Sequence, residues 1–219
     1  AMKSQMWLLD PRPNLPSIVA AVGHGFRMSE ASNTPVMMQM RIKSCHVHGH
    51  FTASDNQRPK MTVSEALENP KRDLSRIVLP PAVFLHENEK VDRRWPNAVS
   101  YILDNNVNEQ FGNPASKIGL IVQGGTYNGV IRALNRLGLS DIYGETDIHI
   151  LCLNAVYPLC DSQILDFCEG KEAVLLVEEG QPNFIEQAIG HMLYQNGRTT
   201  VLAGKGTLPM AGEYRSEER

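Results

Sequence analysis

The chain reads as an α/β protein with a largely parallel sheet. Three observations predict it. From residue 117 onward, short apolar runs alternate with segments of helical period. The first run, Ile118-Gly119-Leu120-Ile121-Val122-Gln123, is almost wholly apolar and ends at Gly124-Gly125, which suits a strand covered on both faces that stops in a tight turn. The links between runs and helices are short, as in successive strand–helix units.

The elements of that half follow in order. Val130, Ile131, Leu134 and Leu137 recur at helical spacing with Arg132, Asn135 and Arg136 between them, and Gly138 closes the helix. Ile148–Leu153 is predicted as a second strand and Ser162–Cys168 as a short helix ending at Gly170. Ala173–Val177 is the third strand. Phe184–Gln195 is a helix that stops near Asn196-Gly197, and Thr199–Ala203 is the fourth strand.

The first half is less regular. Met6–Leu15 contains three prolines and is predicted as an extended lead-in. Ser17 is taken as the N-cap of a helix to about Ser29, with Ile18, Val19, Val22 and Phe26 on its packed face. Pro35–Ile42 reads as a buried strand. One helix and one strand are the end of an α/β domain rather than a whole one. Thr52–Leu79 is polar and acts as a linker, with Thr62 and Glu65 at capping-box spacing. Helical spacing returns from Val83 to about Asn108, where Pro96 must start a second helix or kink one. The expected division is therefore 1–51 as a partial domain, 52–112 as linker and helix, and 113–219 as the α/β domain.

Composition excludes several classes. Hydrophobic content of 42%, charged content of 21% and a net charge of −3 carry no basic footprint for nucleic acid. No apolar run approaches the roughly 18 residues that span a membrane. Ala1-Met2 looks like a cleavage remnant before a designed start, without a signal-peptide core. Cys45, Cys152, Cys160 and Cys168 lack Cys-x-x-Cys spacing and are expected to be free thiols in a reducing cytoplasm.

Three places invite a chemical reading. Gly124-Gly125-Thr126-Tyr127 sits at a strand–helix junction, where glycines admit a ligand and free amides attract an anion; the plainer alternative is a turn. Glu178 and Glu179 follow a strand end, where open α/β sheets place ligand residues. Adjacent residues on extended chain point apart, so the two do not form a dyad; one caps the next helix or faces another domain. His46, His48 and His50 fall on one face if the chain there is extended, which makes them a weak metal candidate without a fourth ligand.

One resemblance covers Leu79–Tyr214. It rests on Val177-Glu178-Glu179-Gly180-Gln181-Pro182, on Ile185-Glu186-Gln187, on Gly204 to Tyr214, on Ile118–Tyr127 and on Tyr157-Pro158-Leu159. In order and spacing these resemble the transketolase C-terminal-like domain of indolepyruvate ferredoxin oxidoreductase, within the 2-oxoacid:ferredoxin oxidoreductases. The resemblance implies a helix–strand remnant of a pyrimidine-binding domain before it, with Arg41 near that domain's terminal arginine. It implies a parent enzyme that uses thiamine diphosphate, magnesium, coenzyme A and iron–sulfur clusters to oxidise arylpyruvates and reduce ferredoxin. This sequence has no Gly-Asp-Gly, and Glu30 cannot be matched to the family's thiamine-activating glutamate. The expectation is a structural and assembly part that binds none of these groups alone, with the other domains and subunits as partners and with homodimer formation. A free-standing α/β module that binds an anion or serves assembly is the alternative. A flavodoxin-like carrier is a third, weaker reading, since no Ser/Thr-rich flavin phosphate loop is present.

Overall fold

In the computed structural model, residues 2–56, 58–59, 61–70 and 77–214 are described. The second half folds as its apolar runs predict. Strands β4 (Ile118–Gln123), β5 (His149–Leu153), β7 (Ala173–Val177) and β8 (Val201–Ala203) form a parallel sheet, edged by antiparallel β3 (Glu109–Phe111) in the order β3-β5-β4-β7-β8. Alternate residues of the central strands enter opposite cores, because side chains along a strand alternate. Ile121, Leu151, Leu153 and Leu176 meet helices α7 (Asp161–Cys168) and α8 (Phe184–Gln195) through Ile164, Phe167, Ile185 and Ile189. Leu120, Val122, Ile150 and Cys152 meet α6 (Tyr127–Arg136) through Tyr127 and Leu134. Gly138 and Gly170 lie just past α6 and α7 with φ of 71° and 69°, the left-handed geometry that glycine adopts without steric cost.

The first half differs from expectation. The proline-rich lead-in contains β1 (Trp7–Leu9), which pairs in parallel with β2 (Val36–Met38) and antiparallel with β6 (Ala155–Tyr157). A second, three-stranded sheet, β2-β1-β6, thus joins the two halves of the chain. Strand β2 neither lacks a sheet nor extends the large one. Its strand is also shorter than Pro35–Ile42, because Ile42–Cys45 turns into a one-turn helix, α2.

Helix α1 (Leu15–Ser32) starts two residues before Ser17. Asn14 is the N-cap, and its side chain accepts the Ser17 amide at 2.9 Å, with Pro16 in the first turn. Its buried face carries Ala21 and Met28, whereas Val19, Val22 and Phe26 point outward, Phe26 with 73% exposure. Two requirements set that rotation. Trp7 Nε1 donates to Ser32 Oγ at 2.7 Å, and Met28 enters the core formed by Trp7, Ala98 and Ile102.

The linker helix is three pieces. Helix α4 (Ala82–Glu89) runs into a π-helical turn, Lys90–Arg94, and then into α5 (Trp95–Asp104), with Pro96 in its first turn. The buried Lys90 ammonium donates to Gln5 O at 2.7 Å and lies 3.8 Å from the Trp7 ring centroid. Burial lowers its pKa to about 8. Helix α5 buries Ala98 and Ile102, but Phe84, Leu85 and Val91, apolar residues within the segment of helical spacing that starts at Val83, are exposed. Helix α3 (Val63–Glu68) carries the complete Thr62–Glu65 capping box and buries none of its residues.

Candidate functional site

Open α/β sheets place ligands where neighbouring strands send their connections to opposite faces. Here that point lies between β4, which leads to α6, and β7, which leads to α8 on the other face. The ends of these strands bear the predicted residues Gly124, Gly125, Thr126 and Glu179.

The chain itself fills this crevice. Arg41 donates to Asp10 through Nη2 at 2.7 Å and through Nε at 3.2 Å, and to Gln123 Oε1 at 2.9 Å. It also pairs with Glu179. The Asp10 carboxylate accepts from the Gly125 amide. A Cβ at Gly124 would stand 1.9 Å from the Asp10 carbonyl oxygen, and one at Gly125 would stand 2.2 Å from Arg41 Nε. The glycines therefore admit this chain's own backbone and guanidinium. The Asp10 carboxylate thus stands against the Gly125 amide, within the turn where an anion or cofactor contact is expected at Gly124–Thr126. Thr126 turns inward, with its hydroxyl donating to Gln123 O at 2.8 Å.

Electrostatics follow from burial. Asp10 is 1% exposed, and desolvation raises its pKa against the opposing pull of Arg41. Burial alone pulls Arg41 down, but bonds and charges from Asp10 and Glu179 outweigh it, so its pKa rises. Beside it, Glu179 accepts the Tyr214 amide at 2.8 Å, and Lys43 bridges to Glu213 at 3.0 Å. Lys205 donates to Gly180 O and to the Tyr214 hydroxyl at 2.8 and 2.9 Å. Residues 204–214, whose motif begins Gly204-Lys205-Gly206, thereby close over the strand ends.

The two adjacent glutamates separate as extended geometry requires. Glu179 meets Arg41, whereas Glu178 accepts the Ile185 and Glu186 amides, both at 3.0 Å, and caps α8. Burial raises the Glu178 pKa. No alternation argument could have found Arg41, Asp10 and Gln123 as one cluster, because 113 residues of chain separate the first and last of them (10 to 123). Arg41 was legible only through the family pattern.

Tyr127 is different. It packs against Phe111, with ring centroids 4.9 Å apart, beneath the Arg12 guanidinium, which pairs with Glu109 at 2.8 Å. It also borders an open cleft of about 570 Å³ between α6 and residues 141–145. His46, His48 and His50 are exposed, and His46 ends α2 rather than lying in a strand, so the alternation that put all three on one face does not apply. Among the described residues, no group of three or more His, Cys, Asp or Glu is placed to hold a metal ion. Nor do the residues fit thiamine diphosphate. The carboxylates buried at the strand ends, Asp10 and Glu178, are engaged by Arg41 and by the amides of α8, and Glu109 is engaged by Arg12. None of them is free to bond an aminopyrimidine. Cys152, Cys160 and Cys168 are buried free thiols whose pKa values burial raises, to about 12 for Cys160 and about 11 for Cys168.

Comparison with known proteins gives this geometry a context. Residues 108–216 match the model of the indolepyruvate oxidoreductase domain. This stretch belongs to that family. Over 209 residues the chain is 28% identical to indolepyruvate oxidoreductase subunit IorA of Methanothermobacter marburgensis, covering 94% of this chain and 32% of the relative. The IorA subunit of Thermococcus kodakarensis is 25% identical over 197 residues, or 87% of this chain and 28% of the relative. The chain thus spans about a third of the length of these relatives. The fold is shared with a solved 2-oxoglutarate:ferredoxin oxidoreductase from Magnetococcus marinus, determined with 2-oxoglutarate, coenzyme A and succinyl-CoA bound. There the TM-score is 0.53 at 13% identity, over 97% of this chain and 40% of that one. The matched stretch opens one residue before β3, so it includes the antiparallel edge strand of the large sheet. No described helix is long and apolar enough to cross a membrane.

Proposed function

We propose that this chain is the bracing part of a cytoplasmic, thiamine-diphosphate-dependent 2-oxoacid:ferredoxin oxidoreductase that converts arylpyruvates such as indolepyruvate to acyl-CoA. The observation that carries this reading is the IorA similarity over 94% of the chain, which includes the Arg41 segment as well as the matched domain. The Arg41–Asp10–Glu179 cluster ties the N-terminal segment to the α/β domain, so that the two move as one piece in the assembly. Thiamine diphosphate, magnesium and the iron–sulfur clusters sit on other parts of the enzyme, and coenzyme A and ferredoxin engage the assembled complex.

Two measurements test it. The protein recovered with its natural partners is expected to reduce a viologen dye with indolepyruvate only when coenzyme A is added. The chain alone is expected to show no heat of binding with thiamine diphosphate and magnesium. Activity that does not respond to coenzyme A, or micromolar thiamine binding by the chain alone, would reject the assignment.

A homodimer is part of the same proposal. Its support is the outward face of α1 and the open edge of β2, where Val22, Phe26, Val36 and Met38 border an apolar groove. Sedimentation equilibrium giving a 24.4 kDa species at every concentration would exclude it.

A further inference from the structure

The cleft between α6 and residues 141–145 is independent of the crevice closed by Arg41 and of the function proposed above. Its volume of about 570 Å³ suits a small molecule. Tyr127 is 93% buried, at 7% exposure, and its hydroxyl has no hydrogen-bond partner among the described residues. The hydroxyl is not sealed in the core and opens to the cleft. The hydroxyl faces the far wall of the cleft, since a Cβ on Gly144 would stand 3.6 Å from it.

The neighbouring polar groups are half used. Arg12 gives Nε and Nη2 to Glu109, at 3.0 and 2.8 Å, and its Nη1 retains two N–H donors. Asn135 gives Nδ2 to Ser140 O at 2.9 Å and keeps its carbonyl oxygen as an acceptor. Across the opening, Asp141 Oδ1 accepts the Tyr143 and Glu145 amides, both at 2.8 Å, and this turn holds the Tyr143 ring out at 86% exposure. Ile131 supplies an apolar wall.

We infer that this cleft binds a planar heteroaromatic ligand of nucleoside size, adenosine-like, with its ring edge on Tyr127, Arg12 and Asn135 and its face against Tyr143. Each of the three groups has hydrogen-bonding capacity left for a ligand that both donates and accepts, and an exposed aromatic ring is a sequence-tolerant stacking platform for a base. Charge selects the neutral nucleoside over a polyphosphate. Among the described residues, Glu109 balances Arg12, and Asp141 and Glu145 stand at the opening beside Arg132. Burial raises the Tyr127 pKa, so its hydroxyl keeps the proton it donates.

Adenosine titrated into the purified chain, followed by calorimetry and ligand-observed NMR, tests this. Saturable binding is expected. Tyr127→Phe removes only the hydroxyl and is expected to weaken binding about 3–10-fold, the effect of one hydrogen bond. Its thermal midpoint should stay unchanged, because that hydroxyl has no bond to any described residue. Tyr143→Ala, a surface change, should weaken binding as well. Indole, which has a ring but no acceptor edge, should bind more weakly than adenosine. No saturable binding up to the solubility limit of adenosine overturns the inference. So does binding indifferent to both variants, or indole binding as tightly as adenosine.

Discussion

The two sheets of this molecule are built on different physics. In the five-stranded sheet, the central strands are covered by helices on both faces, and Ile121, Ile150, Leu151 and Val174 are wholly buried. Burial of that kind stabilises by about 1.5–3 kcal/mol per large apolar side chain. The three-stranded sheet has three residues per strand, with β2 and β6 as its edge strands. It packs on a smaller apolar core with α1 and α5, formed by Trp7, Leu9, Met28, Ala98 and Ile102, and adds specific contacts: the Trp7–Trp95–Tyr157 ring cluster, with centroids 5.1–5.7 Å apart, the Lys90 anchor and the Arg41 ion cluster. A sheet held by area alone loses stability gradually as side chains are trimmed, whereas one whose small core is supplemented by buried charged contacts is sensitive to each of those contacts.

Replacement of Arg41 should therefore produce the largest effect. In Arg41→Met, Asp10 remains at 1% exposure without its counter-ion, and Glu179 loses its partner. Removing one member of a buried ion pair costs about 3–5 kcal/mol. The loss is expected as an early urea transition that releases residues 2–45 while the large sheet persists. Hydrogen exchange would show β1 and β2 opening first. A single cooperative transition with unchanged midpoint would mean that the cluster holds nothing together.

The same contrast explains what could be read from sequence. Strands β4 and β7 and helix α8 were legible to the residue because local apolar runs decide them. The small sheet was not: Val36–Met38 lies within the strand read at Pro35–Ile42, but Trp7–Leu9 and Ala155–Tyr157 are too short for periodicity, and the three meet only through register across most of the chain. Helix α1 was legible as a helix but not in its rotation. An apolar stripe of Val19, Val22 and Phe26 argues for burial, and the Trp7–Ser32 bond and Met28 packing overrule it. For the site, position alone pointed to a helix cap by one of Glu178 and Glu179 but did not say which; Glu178 takes it. The occupant of the Gly124-Gly125 turn was not legible, because nothing local to Asp10 or Arg41 points there.

A pH titration probes the large sheet. His149, 5% exposed, bonds Gln110 through Nε2 at 2.9 Å, and its ring lies 4.5 Å from that of Phe167. Burial, with a smaller push from Lys171, lowers its pKa to about 4. Between pH 6.5 and 4 the unfolded chain binds a proton there that the folded chain does not, so stability falls as pH falls through this window. The loss approaches about 3 kcal/mol at its lower end. His149→Gln should flatten that part of the stability curve, and a curve unchanged by the substitution would assign the acid sensitivity elsewhere.

A smaller effect is expected at Glu178. Glu178→Gln keeps one acceptor for α8 but removes the charge that complements its N-terminus, at a cost of about 1 kcal/mol. Because α8 packs on the large sheet, the cost should appear in the main unfolding transition and not in the early release of residues 2–45. Appearance in the early transition would show that the two sheets are not separable.

The least effect belongs to Thr62→Ala. Thr62 and Glu65 make a complete capping box, with the Glu65 amide 3.2 Å from Thr62 Oγ1 and the Thr62 amide 2.7 Å from Glu65 Oε2. A cap of this kind contributes about 0.5–2 kcal/mol to its helix. Glu178 shows how such a contribution reaches the whole fold: α8 inserts Ile185 and Ile189 into the core, so stabilising the helix stabilises the sheet under it. Helix α3 has six residues, none buried, and so has no packing through which to pass its cap energy on. Thr62→Ala should lower the helical signal of residues 62–69 and leave both urea midpoints within about 0.5 kcal/mol of the parent. If either midpoint moved further, α3 would have to pack on a second copy of the chain in solution. The shift should then grow with protein concentration, since association makes stability depend on it.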